Sequence, residues 1–322
     1  MVEAIILCLV TITLLACGNP AAGETPPGSR EDALPAGAVK ITPDIDLYPP
    51  VLHSTEWADP VPLEGPVNTA GVEDAPVVSD DGNTLYFFFT PDASAPPEDQ
   101  LTDGFTGIWK CQLEGGTWSE PERVLLCESV SLDGPMDLHG DTLWFASIRE
   151  DMWTDDGDIY LGIQAGQSWS WWNAGQQLNA TYNIGEVTVS PGGDTLIYAR
   201  SSQYGEYGGY DLWRSAKEGG EWSAPNNLGP VVNSIWDDGW PCLSHDGTEL
   251  WLTRTGSAQG YPGPALFRSI WNGDSWSEPQ EVVSSFSGDA AVDGQGNLYF
   301  THVFADSSGE IIETDIYFAA RN

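Results

Sequence analysis

Five acidic residues recur at matching places along this chain, namely Asp74, Asp133, Glu186, Asp238 and Asp289, although their register is loose by one residue in places. Carboxylates gathered at one point repel. The strain is relieved by protonation, by a hard cation such as Ca²⁺, or by a cationic ligand. Two of them at a defined separation, one with a raised pKa, could instead hydrolyse a glycosidic bond, with Trp236, Trp240 and Tyr207 as sugar platforms. The plainest role is structural, each carboxylate accepting hydrogen bonds from neighbouring backbone and so stapling one unit to the next. That role is the first reading of the five, ligand or cation binding the second and catalysis the third; no residue is assigned as catalytic.

Other chemistry is thinner. His53, His139, His245 and His302 show no pairing at zinc-ligand spacing, and two of them fall in expected hairpin turns. Asp158, Asp211 and Asp315 each precede a short apolar run and read as turn caps. No nucleophile elbow, phosphate loop or dinucleotide fingerprint is present. The formal charge of −37, from 48 acids against 11 bases, repels phosphate backbones and excludes nucleic acid as a partner.

The elements that must carry the acids announce themselves as repeats. An apolar triplet follows a turn rich in Gly and Asp five times: Leu85-Tyr86-Phe87, Leu143-Trp144-Phe145, Leu196-Ile197-Tyr198, Leu250-Trp251-Leu252 and Leu298-Tyr299-Phe300. Alternating with it, Trp is followed three residues later by Pro at Trp57, Trp118, Trp222 and Trp276, with a degenerate copy at Trp169-Ser170-Trp171-Trp172. Between the two lies a third apolar run, as at Ile108-Trp109 and Ile316-Tyr317. Each unit therefore reads as four strands at a period of about fifty to sixty residues, which suits propeller blades. The chain opens with a Trp-Pro strand that has no triplet before it, and ends on a third strand with no Trp-Pro strand after it. The orphan segment Trp57–Thr69 parallels Trp222–Ser234. The expected fold is all-β, a five-bladed β-propeller of four-stranded blades at roughly 71–127, 128–183, 184–235, 236–286 and 287–320, the last blade closed by the N-terminal strand at 55–63. Closing the ring leaves no free sheet edge. The innermost strands line the central channel, so the five acids would sit at its mouth.

Segments such as Asp238-Gly239-Trp240-Pro241-Cys242-Leu243-Ser244-His245-Asp246-Gly247 before Leu250-Trp251, and Gly208-Gly209-Tyr210-Asp211-Leu212-Trp213 before Trp222, resemble the WD40-like repeats of the PD40 group, which includes the TolB propeller. The resemblance covers essentially everything after residue 55. It implies a propeller outside the cytoplasm serving as an interaction platform, and no shared catalytic residues.

The N-terminus carries an address. Ala4–Leu15 is an apolar run of signal-peptide length, too short to span a bilayer as a helix. It ends in Leu14-Leu15-Ala16-Cys17-Gly18, which resembles a bacterial lipobox and implies lipidation of Cys17; the n-region Met1-Val2-Glu3 departs by lacking positive charge. The expected organisation is a lipoprotein signal peptide over 1–16, a flexible Pro- and Gly-rich tether over 17–40 and the propeller over 41–322. Export across the inner membrane and anchoring at the outer membrane or cell surface follow, with membrane contact through the lipid alone. Cys111 and Cys127 fall out of hairpin register, so no structural disulfide is expected. The expected function is a non-enzymatic, monomeric envelope lipoprotein whose propeller binds a protein, peptide or glycan, with the insertions at Asp92–Gly104 and Ser201–Gly209 as first contact points. No cofactor is expected unless Ca²⁺ fills the channel mouth. The alternative is a carbohydrate-active enzyme or a cation-binding propeller using the five acids.

Overall fold

The computed structural model describes residues 28–126, 131–149, 157–166, 168–201 and 207–322. The lipobox, Cys17 and Cys127 lie outside the described residues, as do 202–206 of the second insertion.

The described strands form five antiparallel meanders, and the protein is an all-β propeller. The first runs Val72–Val78, Thr84–Thr90 and Gly107–Glu114, the second Leu132–His139, Thr142–Ile148, Asp158–Ala165 and Ser168–Asn173. The third runs Val187–Val189, Thr195–Ser201 and Tyr210–Glu218, the fourth Asp238–Leu243, Glu249–Arg254, Ala265–Ile270 and Gln280–Ser284, the fifth Ser287–Val292, Leu298–Ala305 and Ile311–Ala319. The apolar triplets occupy the second strand of each. They are unbroken apolar runs because each meander is covered on both faces by its neighbours. All fifteen side chains are buried.

The core is accordingly divided into seams. One apolar cluster joins the first and second meanders through Tyr86, Ile108 and Phe145, another the second and third through Trp144, Ile159 and Tyr198. The third and fourth meet through Ile197 and Leu252, the fourth and fifth through Trp251 and Phe300. The seam of Leu85 and Phe87 with Tyr299 and Ile316 brings the first meander against the last. First strands follow one another around a common hub, that of the fifth lying against that of the first.

Closure is made by the N-terminal segment. Val61 and Pro62 pair antiparallel with Phe318 and Tyr317, and Trp57 bridges to Arg321. Trp57 is buried beneath the Arg268 and Arg321 guanidinium groups, edge-on to Trp251, and its indole donates to the Gly296 carbonyl at 2.9 Å. Asn68 then donates to the Ile316 carbonyl at 3.0 Å and accepts from its amide at 2.9 Å. Asn233 does the same for Leu212 and Asn179 for Ile159, one residue being gripped through both its N–H and its C=O. The Trp-Pro spacing also explains the outer strands. Pro121 and Pro225 have no N–H for the ladder, so those strands break into Thr117–Trp118 with Glu122–Arg123 and Glu221–Trp222 with Asn226–Asn227. The degenerate copy has no Pro, and its outer strand runs unbroken over Ser168–Asn173.

The segment expected as a tether over 17–40 lies against the disc over its described part. Arg30 is buried, stacked at 5.0 Å from the Phe89 ring and 2.9 Å from the Glu73 carboxylate. Lys40 reaches Glu313 and Asp315 at 2.6 Å, and Asp46 meets the buried His302 at 2.8 Å. Val51–Leu52 then adds a fifth strand to the fourth meander. Pro- and Gly-rich composition denies this segment a core of its own, but its few cations find buried carboxylates on the disc, and those contacts hold it.

Candidate functional site

The channel has two different mouths. Tight hairpins rim one, around an open cavity of about 440 Å³, where His139 lies 3.2 Å from the Pro191 carbonyl and His245 lies 3.7 Å from the Asp80 carboxylate. The other carries the longer connections between second and third strands, and here a cavity of about 210 Å³ is lined by first strands of all five meanders. Its walls are mostly apolar, with Val72, Met136, Ile148, Val187 and Trp240 among them. Ala93, Ala95, Pro97 and Gln100 of the expected insertion at Asp92–Gly104 form part of its rim.

The five acids divide into two sets, and strand register decides the division. Asp133 lies opposite Ser147, Asp238 opposite Arg254, and Glu73 opposite Phe89. All three turn away from the channel into the seams and meet a cation. Asp133 is 2.7 Å from Arg149 and accepts from Ser131 at 2.9 Å. Asp238 is 2.6 Å from Arg254 and accepts from the Ser234 amide and hydroxyl. Glu73 takes Arg30 and both the amide and hydroxyl of Thr69. Burial pushes the Asp238 carboxyl up despite Arg254, and pushes that of Glu73 up to about 7 despite Arg30.

Asp74, Glu186 and Asp289 line the cavity instead. Side chains alternate across a strand, so one residue of offset moves a carboxylate from seam to channel. Asp74 is the residue after Glu73. Asp289 reaches the channel by a different device, a β-bulge between Gly288 and Ala291. Bulges re-aim side chains, and the same kind of bulge recurs after Asp74 and Gly239. Ala75, Trp240 and Asp289 share a left-handed backbone there, with φ of 49°, 48° and 49°. The Thr253 hydroxyl accepts from the Asp289 amide at 3.0 Å and pins the bulge to the preceding, fourth meander.

Electrostatically this second set is exposed to itself. Asp74 is 5% exposed and Asp289 6%. Burial raises the Asp74 carboxyl, which accepts only the amide of Ala75 at 2.8 Å from backbone. Asp289 is pushed well up, first by burial, then by Asp74 beside it and by Glu186. Neither carboxylate oxygen of Asp289 accepts a hydrogen bond from an N–H or hydroxyl among the described residues. Like charges this close favour one proton shared between Asp74 and Asp289. Burial also raises Glu186. Among the described residues no basic side chain lines the cavity.

The expected ring of five equivalent acids is thus corrected to three acids on the channel, with Asp133 and Asp238 spent on arginines. Among the described residues no group of three His, Cys, Asp or Glu side chains comes together to hold a metal ion. Of the expected sugar platforms only Trp240 lines the cavity; Trp236 packs over Gly256, and Tyr207 lies beside Asp211. Asp211 accepts the amides of Tyr207 and Gly208 and the Asn227 amide group, and Asp158 accepts that of Asn173. Asp315 goes instead to Lys40. Cys111 and Cys242 are free thiols. The residues that sequence reasoning missed are Glu73, Arg149 and Arg254. In a chain with 11 bases, arginines closing two of the second strands were the available signal.

No family model matches the chain, and no curated protein matches it. Among solved structures it is similar to a putative TolB from Agrobacterium tumefaciens, at 14% identity over 79% of this chain and 84% of that one, with a TM-score of 0.43. It is also similar to a thermostable family-43 glycoside hydrolase, at 10% identity over 80% and 91%, TM-score 0.46. A GH43_12 protein retrieved from a capybara gut metagenome matches at 12% identity over 81% of this chain and 53% of that one, TM-score 0.50. At such identities the likeness concerns the fold alone, and that fold is a β-propeller.

Proposed function

We propose that this chain is a binding propeller of the cell envelope, of the WD40-like, TolB-type kind, anchored by lipid at Cys17 and taking its ligand at the loop-bearing mouth. The observation that carries the reading is the apolar cavity there, with three carboxyl groups on its wall and no basic side chain to balance them. Small-molecule sites are concave, mainly apolar and oriented by a few polar groups. The rim loop at Asp92–Gly104 places the ligand within reach of surface variation. Hydrolysis of a glycosidic bond is less well served. It calls for aromatic platforms beside two carboxyl groups that flank the bond, and of the three expected platforms only Trp240 lines the cavity.

The test uses the full chain solubilised in detergent, screened against glycans, peptides and small organic ions by thermal shift and ligand-observed NMR. Ala95→Trp on the rim should abolish whatever binds at the mouth while leaving the melting temperature in place. Ligands held equally well by this variant would move the function to another surface. Glycan hydrolysis that disappears in Asp74→Asn would make the protein an enzyme. Cys17→Ser should release the chain from membranes into the soluble fraction; retention would remove the anchor.

A further inference from the structure

The chemistry of the cavity wall narrows the ligand class, on the reading that the cavity is the ligand seat. We propose that it takes an organic cation, an ammonium group on an aryl or alkyl body, with the ammonium against Asp289, Asp74 and Glu186 and the body against Trp240 and Met136.

Four observations converge. Asp289 is more than nine-tenths buried, lines the cavity, and has two oxygens that no N–H or hydroxyl of the protein satisfies, its one bonded neighbour being the Asp74 carboxyl with which it shares a proton. A buried carboxylate without donors is costly and rare, and an ammonium supplies three donors together with the missing charge. Second, the bulge that aims Asp289 inward is repeated at Trp240, whose indole N–H is buried without an acceptor and whose ring forms part of the wall. Trp is the best aromatic partner for a cation, and more so where water is excluded. Third, the rest of the wall is apolar, Phe88, Met136 and Ile148 included. Fourth, the volume of about 210 Å³ exceeds what a bare ion fills, since one water needs about 10–15 Å³ on this scale. The three acids do not come together as a metal shell, so a soft, singly charged head on an apolar body fits better than a hard divalent ion, which demands several oxygens at once.

Isothermal titration of the full chain in detergent, at constant ionic strength, would use benzylammonium chloride, n-butylammonium chloride, benzyl alcohol and calcium chloride. Benzylammonium should bind, and benzyl alcohol, the same shape without the charge, should bind at least about tenfold more weakly. Asp289→Asn and Glu186→Gln should each weaken benzylammonium by about tenfold or more, corresponding to one lost charge-assisted contact. Unchanged melting temperatures would show that these variants fold; the comparison of amine with alcohol needs no variant. Equal affinity for amine and alcohol would overturn the charge requirement yet leave the cavity as a seat. Calcium binding without ammonium binding would replace the proposal with a metal site. If neither ammonium binds while glycans or peptides are lost in Ala95→Trp, the inference fails and the mouth remains the binding site. If nothing is lost in Ala95→Trp either, both fail.

Discussion

Replacing Asp238 with alanine strips Arg254 of its counter-charge in a seam where the acid is fully buried and the guanidinium 9% exposed. What remains to Arg254 is the Val232 carbonyl at 2.7 Å, and the Ser234 amide and hydroxyl lose their acceptor. Removing one partner of a buried ion pair costs about 3–5 kcal/mol, because the other charge stays behind unpaired. Asp289→Asn is the contrasting change at the same hub. It removes no hydrogen bond accepted from an N–H or hydroxyl, and in place of the carboxyl that shares a proton with Asp74 it sets an amide that donates to Asp74 without needing that proton. Its expected effect at pH 7.5 is neutral to stabilising, by up to about 1 kcal/mol. The two variants should therefore differ by roughly 3 kcal/mol or more in urea unfolding free energy, with the slope against urea unchanged. Equal losses, or a greater loss in Asp289→Asn, would refute the division of the acids into a paired set and a channel set.

The mouth rimmed by hairpins offers a pH test. Asp137 accepts the Val189 and Leu138 amides, yet burial pushes its carboxyl up to about 6. The folded chain keeps this proton where the unfolded one has lost it, so its contribution falls as pH rises from about 4 to 6 and is level above. Asp137→Asn should accordingly gain on wild type across that window, as read from unfolding midpoints at pH 4 and 7; a constant difference would contradict the assignment. Asn233→Ala should cost about 1–3 kcal/mol, since it leaves the buried Leu212 N–H without an acceptor, while the Leu212 carbonyl keeps the Leu228 amide. Asn68→Ala should match it in calorimetry, and a much smaller loss would mean that the closing segment is held less firmly than its counterpart.

Much of this architecture was legible in the sequence because it rests on local, repeated chemistry. The apolar triplets mark strands covered on both faces, and proline positions mark where outer strands break. The likeness of Trp57–Thr69 to Trp222–Ser234 extends to Asn68 and Asn233, which grip a third strand in the same way. The acids were legible as a set but not as two sets. A single-residue offset, as between Glu73 and Asp74, or a bulge at Asp289, changes which face a carboxylate occupies, and neither leaves a mark in composition. The ion pairs of Arg30, Lys40 and Asp46 were equally hidden. They join a stretch with no periodicity to carboxylates and a histidine far along the chain, and only tertiary structure brings them together.

Everything at the hub depends on the ends of the chain meeting, for Asp74 belongs to the first meander and Asp289 to the last. Val61→Cys with Phe318→Cys tests this directly, because these residues are register partners across the closing strand pair, at a separation that antiparallel neighbours share with disulfides. On oxidation, peptide mapping by mass spectrometry should find an intramolecular link between the two positions, and the melting temperature should rise and fall back on reduction. Absence of the link, or a link formed only between molecules, would contradict the closed ring and with it the carboxyl cluster at its centre.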